Sequence, residues 1–193
     1  TEEGEVVAAD DNLVFSLNGS TGNNKHAFLQ ETSDASAPGA GQQTVRTVDL
    51  SLQQRAFNSD GAQTFGVGFY GDGTVPAGSG WGSVIGFTVH FAEFNGSNGF
   101  VIRRRGSDGG VDSWDGTQWT NDFTTQLSSY SLNTDYTVKA TVDDTSNYTL
   151  DVLDGSTVVE SASTNISGIF NYANGLRWTV GDINSQNADL KYQ

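Results

Sequence analysis

The clearest alternation of apolar and polar residues lies in the segment 83–94. Ile85, Phe87, Val89 and Phe91 occupy every second position, and Gly, Thr, His and Ala stand between them. A period of two sends successive side chains to opposite faces of a β-strand. The segment is therefore predicted to be a central strand with one face on a hydrophobic core.

Shorter alternating segments follow one another along the whole chain. They predict further strands at 13–17, 26–31, 44–50, 64–70, 99–105, 136–143, 148–152, 157–161, 176–181 and 188–193. Residues 107–122 are predicted to form a hairpin, and Asp154-Gly155 is typical of a tight hairpin turn. Residues 51–58 are predicted to be a helical turn. The acidic segment 1–12 is interpreted as a tail, or as an edge strand over 5–9.

This arrangement of elements predicts the fold class. About a dozen short strands separated by turn residues, with no alternation of strands and helices, favour an all-β fold. We expect a two-sheet antiparallel β-sandwich of the jelly-roll type, forming a single domain over 1–193. Asp143, Asp144 and Asp154 bracket predicted hairpins and are interpreted as turn formers.

The charge excludes some partners. There are 23 acidic residues against 9 basic ones, a formal net charge of −14. Nucleic acids and anionic membranes attract a positive field, so neither is an expected partner. Many acidic residues with few Lys resemble the surfaces of proteins from extreme halophiles; an acidic secreted protein from a marine source is the alternative. In both cases salt is expected to stabilise the fold by screening self-repulsion.

Cysteine content, hydropathy and glycosylation motifs limit the chemistry and the location of the protein. The chain has no Cys, which excludes disulfides and thiolate chemistry. No apolar run reaches the ~18 residues of a membrane span. Four N-x-S/T sequons, at Asn18, Asn95, Asn147 and Asn165, fit secretion. We expect that a signal peptide has been removed.

Several segments resemble one superfamily in order along the chain. They are Leu17-Asn18-Gly19, the central GFTVHFAEF of 86–94, the stretch 136–155, and the closing segment 180–192. Together they are similar to the concanavalin A-like lectin/glucanase sandwich, especially its L-type lectin branch. The resemblance implies a protein that binds or cleaves glycans, and many such proteins hold Ca²⁺.

The resemblance also implies positions for a metal. L-type lectins carry an acidic pair on the central strand, but this chain has His90 and Ala92 there, so that site is expected to be lost. A second implied site lies where the amino-terminal segment meets the final strand. Asp10, Asp11 and Asp189 would supply hard oxygen ligands for Ca²⁺ there. Solvated surface charge is the alternative interpretation of these three residues.

Candidate sugar-binding residues lie mainly in the loops. Trp81 stands in a Gly-rich loop, and Trp114 and Trp119 flank an Asp-Gly turn. Exposed rings of this kind can stack on sugars, whereas small satellite cores under long loops are the alternative. The polar candidates around them are Tyr70, Asp72, His90, Asn95 and Asn98.

Three consecutive Arg residues form a further candidate. On a strand, Arg103 and Arg105 point one way and Arg104 the other. They can bind the carboxylate or sulfate of an anionic glycan in bidentate fashion, or pair with nearby Asp. An enzyme is not expected. The paired carboxylates of retaining glucanases are absent, because Glu93 stands alone, and the motifs of alginate lyases are missing.

The sequence thus predicts a secreted, non-catalytic carbohydrate-binding module or adhesin domain. The alternative is a self-assembling structural protein, such as a virion or extracellular-filament subunit, built on the same jelly roll. In that case residues 5–9 pair along the sheet edge of a neighbouring copy.

Overall fold

The computed structural model describes most of the strands and part of the loops. The described residues are 5–9, 12–16, 28–30, 38–56, 63–70, 86–94, 97–105, 111–122, 125–165, 167, 177–183 and 186–192. All statements below concern these residues. Among them no helix is long and apolar enough to cross a membrane.

Within that part of the chain fourteen strands form the structure. They are β1 (Glu5–Ala9), β2 (Asn12–Ser16), β3 (Phe28–Gln30), β4 (Gln43–Ala56), β5 (Gln63–Tyr70), β6 (Gly86–Phe94), β7 (Ser97–Arg105), β8 (Val111–Trp114), β9 (Trp119–Thr120), β10 (Asp135–Asp143), β11 (Asn147–Asp154), β12 (Thr157–Asn165), β13 (Arg177–Ile183) and β14 (Gln186–Tyr192).

The strands form two antiparallel sheets. The first sheet has the order β1-β2-β14-β4-β10-β11-β12, and the second has the order β3-β13-β5-β6-β7-β8-β9. Strands that are distant in sequence lie side by side, as when β14 inserts between β2 and β4. The predicted all-β, two-sheet jelly roll is confirmed.

The core lies between the two sheets and is rich in aromatic rings. Phe87 of the second sheet stacks on Tyr148 of the first, with ring centroids 3.9 Å apart. Phe91 and Phe100 meet edge to face at 5.0 Å. Each fully buried side chain of this size contributes about 1.5–3 kcal/mol through its removal from water. The Phe87–Tyr148 contact joins the two sheets, and the Phe91–Phe100 contact joins neighbouring strands of the second sheet on its core side.

One sequence prediction is wrong. Residues 51–56, predicted to be part of a helical turn, continue β4 as a strand. In that stretch Leu52 pairs with Leu190 and Ala56 with Gln186, so hydrogen bonding to β14 decides the conformation. Pairing with a distant strand overrides a weak local preference. Residues Glu5–Ala9, interpreted as a tail or an edge strand, form β1 at the end of the first sheet.

A crossing segment, residues 125–131, links the second sheet to the first. Its backbone pairs with β7, because Leu127 N donates to Phe100 O at 2.8 Å and Phe100 N to Ser128 O at 3.0 Å. Tyr130 then enters the core. The Asn98 amide nitrogen donates to the Tyr130 carbonyl at 2.6 Å, which fastens the crossing to the start of β7.

Candidate functional site

The site begins with the face of β6 that points away from the core. Phe87, Val89 and Phe91 belong to the core, so the alternating residues Thr88 and His90 lie on the opposite, outer face of the second sheet. This outer face is also buried around β6, since His90 is only 1% exposed.

Glycines form the neighbouring part of this face. Gly66 and Gly68 of β5 pair directly with His90 and Thr88, and Gly181 of β13 pairs with Gly66. Glycine in a strand interior lets another backbone or a ligand approach closely. The strand register thus places polar side chains beside a strip of bare backbone.

A row of polar residues crosses the same face in the other direction. Thr88 pairs with Arg103, Arg103 with Ser113, and Ser113 with Thr120, one residue from each of the strands β6 to β9. Neighbouring strands lie ~4.8 Å apart, so these side chains are adjacent. We call Thr88, Arg103, Ser113 and Thr120 the outer row.

His90 is neutral and hydrogen-bonded beside this row. Its Nε2 lies 2.7 Å from the Thr88 hydroxyl oxygen. Burial, and then the positive charge of Arg103, hold the pKa of His90 well below its usual value of 6.5. His90 therefore acts as a hydrogen-bonding group and carries no charge at neutral pH.

The consecutive arginines face opposite ways and have different surroundings. Arg104 lies on the core side, where it forms a 2.9 Å ion pair with Asp112 and donates to the Thr164 hydroxyl at 2.8 Å. Its guanidinium carbon also lies 4.7 Å from the centre of the Trp119 ring. Pairing with a nearby Asp thus accounts for Arg104. Arg103 belongs to the outer row, and burial lowers its pKa.

The two tryptophans predicted to flank a turn lie on the core side of β8 and β9. Trp114 and Trp119 contact each other at 5.3 Å between ring centroids, and both pack against the core. Trp119 Nε1 donates to the Ser163 carbonyl of the first sheet at 3.1 Å. This arrangement corresponds to the satellite-core alternative, in which the rings close one edge of the sandwich.

The remaining candidates are only partly described. Tyr70 ends β5 and pairs with Gly86 and Arg177, while Asn98 holds the crossing segment as stated above. The other loop candidates lie outside the described residues: Asp10, Asp11, Asp72, Trp81 and Asn95.

The amino-terminal segment and the final strand lie together, because β2 pairs with β14. Asp189 pairs with Ser16, at the end of β2 opposite to Asn12, which follows Asp11 in the chain. The proposed Ca²⁺ ligand set of Asp10, Asp11 and Asp189 stays a prediction. In the described part of the chain, no three His, Cys, Asp or Glu side chains form a group that could hold a metal ion.

The central-strand metal position does not fit a metal. Ala92 has no ligating atom, and His90 is engaged with Thr88 inside the protein. The residues at this position of β6 therefore do not form a metal site.

Ser113 is a buried polar residue beside these candidates that sequence reasoning missed. It is fully buried, and its hydroxyl has no hydrogen-bond partner among the described residues. The alternation Asp112, Ser113, Trp114 places Ser113 on the face opposite the tryptophan. Only the register of β8 against β7 places it beside Arg103.

No protein-family model and no curated protein matches the sequence. Solved structures do match the fold. A winged bean acidic lectin complexed with methyl-α-D-galactose aligns with a TM-score of 0.60 at 9% identity, covering 100% of this chain and 88% of the lectin. An alginate lyase from Klebsiella pneumoniae aligns at 0.55 and 11%, covering 99% and 82%. A legume lectin-like domain from Entamoeba histolytica aligns at 0.53 and 8%, covering 99% and 85%.

These similarities define the class of fold. The protein has the concanavalin A-like jelly roll that its sequence resembles, shared with legume lectins and an alginate lyase. Because this fold includes both lectins and a lyase, it does not decide between binding and cleavage.

Proposed function

We propose that the protein is a non-catalytic carbohydrate-binding module, or the binding domain of an adhesin, and that its binding surface lies on the second sheet where Arg103 and Thr120 are partly exposed. The observation that carries the proposal is the outer row beside the glycine strip of β5. Sugars offer hydroxyl groups to polar side chains and flat C–H faces to exposed backbone or aromatic rings. The lectin-like fold supports the same class of ligand.

The residues of this face would have different roles in binding a sugar. The hydroxyls of Thr88 and Thr120 can both donate and accept hydrogen bonds, which suits sugar hydroxyls. Gly66 and Gly68 place no side chain beside His90 and Thr88 on β5. Neutral His90 holds the Thr88 hydroxyl in place. Trp81 remains the proposed stacking residue, and Tyr70 remains a polar candidate.

A glycan array in high salt, with and without Ca²⁺, tests this function. We expect binding to a defined set of glycans, weakened roughly 3- to 10-fold by Thr88→Val or Thr120→Val, since each change removes one hydrogen bond. Thr149→Val is the matched control, because Thr149 lies on the outer face of the first sheet. Trp81→Ala tests stacking.

Three outcomes are informative. If the folded protein binds no glycan on the array, the proposed carbohydrate-binding function is wrong. If Thr88→Val and Thr120→Val bind as tightly as wild type, the outer row is not part of the binding site. Shortening of a bound polysaccharide during incubation would replace the non-catalytic function with that of a hydrolase or lyase of the same fold.

Self-assembly is a second candidate, favoured by β1. This strand, with one Glu and four apolar residues, forms an edge of the first sheet and pairs on one side with β2. An edge strand offers unpaired backbone groups to a neighbouring copy. Light scattering over a range of concentrations tests it, and a monomer at all concentrations would exclude it.

The extracellular location, the halophilic source and the structural Ca²⁺ belong to the same proposal. A rise in melting temperature on adding Ca²⁺, reversed by chelation and lost in Asp189→Asn, is the expected sign of that ion.

A further inference from the structure

Two of the four sequons lie side by side at one end of the first sheet. Asn147 begins β11 and Asn165 ends β12, and the two residues pair directly across these antiparallel strands. Both side chains are exposed, and Asn165 Nδ2 donates to Asn147 Oδ1 at 3.1 Å. An oligosaccharide is much larger than the ~5 Å between paired side chains, so this end of the sheet has room for a glycan on only one of them.

The Asn147 sequon is held inside the sheet. β11 lies between β10 and β12, so its backbone pairs on both sides. Tyr148, the middle residue of this sequon, is 0% exposed and stacks on Phe87 in the core. A transferase that binds the three residues of the folded chain would have to pull the Tyr148 ring out of the core, and the folded sequon is therefore inaccessible to it.

The side chain of Asn147 also belongs to the turn that precedes it. Its two N–H groups donate to Asp143 Oδ2 at 3.0 Å and to the Thr145 hydroxyl at 2.8 Å. A sugar on Nδ2 takes the place of one hydrogen, so modification would remove one of these two bonds. The bond to the Asp143 carboxylate is charge-assisted and belongs to the stronger class of hydrogen bond.

Asn165 has different surroundings. β12 is the last strand of the first sheet, and Asn165 is its final residue. Ser167, the hydroxyl residue of this sequon, is exposed beyond the strand and donates its hydroxyl to Asn165 Oδ1 at 2.5 Å. Asn165 Nδ2 donates to two neutral acceptors, the Thr145 carbonyl at 3.0 Å and Asn147 Oδ1. A glycan replaces one hydrogen of Nδ2 and leaves the other to keep one of these bonds.

We propose that Asn165 carries an N-linked glycan and that Asn147 stays unmodified. This inference rests on the proposed extracellular location. In the transfer, the anomeric carbon of a lipid-phosphate-linked oligosaccharide forms a bond to Asn165 Nδ2, and its bond to the phosphate oxygen breaks. The lipid phosphate leaves with that electron pair, and the amide loses one proton to a base of the transferase. The bulky hydrated glycan then hinders another chain from pairing along the edge strand β12.

Peptide mass spectrometry of the chain secreted from eukaryotic host cells tests the inference. Peptide N-glycosidase in heavy-oxygen water converts each glycosylated Asn into an isotope-labelled Asp, which identifies the modified residues. We expect the label at Asn165 in the majority of molecules and no label at Asn147. A label at Asn147, or none at Asn165, would overturn the proposal.

Two hydroxyl variants distinguish the sequons without changing either Asn. Ser167→Ala destroys the Asn165 sequon and should abolish the label there. Thr149→Val destroys the Asn147 sequon and should leave the glycan unchanged, which makes it the matched control. A label that moves to Asn147 in Ser167→Ala would show that the buried Tyr148 does not protect that sequon, and would overturn this part of the argument.

The two proposals can fail separately. The glycan array uses protein from a bacterial host that adds no N-glycan, so its result does not depend on Asn165. An unlabelled Asn165 would leave carbohydrate binding intact, and a silent array would leave the modification of Asn165 intact.

Discussion

At the scale of single residues, Asp143 shows how one side chain orders a turn. Its Oδ1 accepts hydrogen bonds from the Thr145 amide at 2.9 Å, the Thr145 hydroxyl at 2.7 Å and the Asn147 amide at 2.9 Å, and its Oδ2 from the Asn147 side chain at 3.0 Å. These bonds let Ser146 take a positive φ of 65° between β10 and β11. Asp143 is thus the turn former that the sequence predicts.

The turn should respond to acid. The Thr145 hydroxyl, followed by the Asn147 amide, lowers the pKa of Asp143 from 3.8 to about 2. A lowered pKa means that the ionised carboxylate stabilises the fold above pH ~4 and that this contribution is lost between pH ~4 and ~2. Asp143→Ala should melt below wild type at pH 7, with the difference closing over that window.

Thermal melts followed by circular dichroism from pH 7 to pH 2 check this expectation. Asp154→Ala, in the next turn, controls for the removal of one negative charge from an acidic protein. A difference between Asp143→Ala and wild type that stays constant down to pH 2 would contradict the assignment.

Sequence reasoning at this scale succeeds where a residue acts locally. Asp143 acts on residues two and four positions away, so its role is readable from the chain. Ser113 gains its meaning from Arg103, ten positions earlier, and only pairing between β7 and β8 brings them together. Trp119 likewise contacts Arg104, which lies on another strand. The sequence alone therefore did not decide whether the Trp119 ring packs against the core or is exposed.

At the scale of elements, the crossing segment depends on a glycine in β7. A Cβ on Gly99 would stand 2.9 Å from the Leu127 carbonyl oxygen and 3.0 Å from Gln126 Cβ. Real Cβ atoms almost never approach this closely, so the segment would have to shift away from β7. That shift would strain the Phe100 hydrogen bonds that hold it.

Gly99→Ala should therefore lower the free energy of unfolding by about 1–3 kcal/mol, the usual cost of overpacking. Urea denaturation measures it. Gly39→Ala is the matched control, because its Cβ would meet only the flexible Gln42 side chain, and we expect little change or a slight gain. Equal stability of the two variants would show that the crossing segment can move away from β7 without cost.

Elements with a clean alternation were predictable, whereas their partners were not. In β10 and β11 buried and less buried residues alternate along almost the whole strand, and the hairpin between them follows from the sequence. The second half of β4 lacks a strong pattern and becomes a strand through β14, more than a hundred residues later. Its conformation depends on a contact that no local window contains.

At the scale of the whole molecule, the fold class can be predicted from the sequence, whereas the position of the candidate site depends on strand order. Composition and periodicity predict the two-sheet class, because many short alternating strands can bury their apolar faces only against a second sheet. The proposed binding surface follows from the order of strands within the sheet. Thr88, Arg103, Ser113 and Thr120 belong to four strands, and the neighbouring glycines belong to β5 and β13. The residues that share the outer face of the second sheet are therefore known only from the pairing of its strands.

The net charge of −14 makes a prediction for the molecule as a whole. Like charges on a compact chain repel one another, and salt shortens the range of that repulsion from about 30 Å at 0.01 M to about 3 Å at 1 M. The melting temperature at pH 7 should therefore rise by several degrees between these concentrations of NaCl. Near the sequence pI of about 4.1 the net charge is close to zero, and the same salt series should give a much flatter response.

Comparing the two series separates charge screening from a general effect of salt on burial. A melting temperature that stays level or falls with salt at pH 7 would show that self-repulsion does not limit this fold, and with it the halophilic interpretation would lose its physical basis.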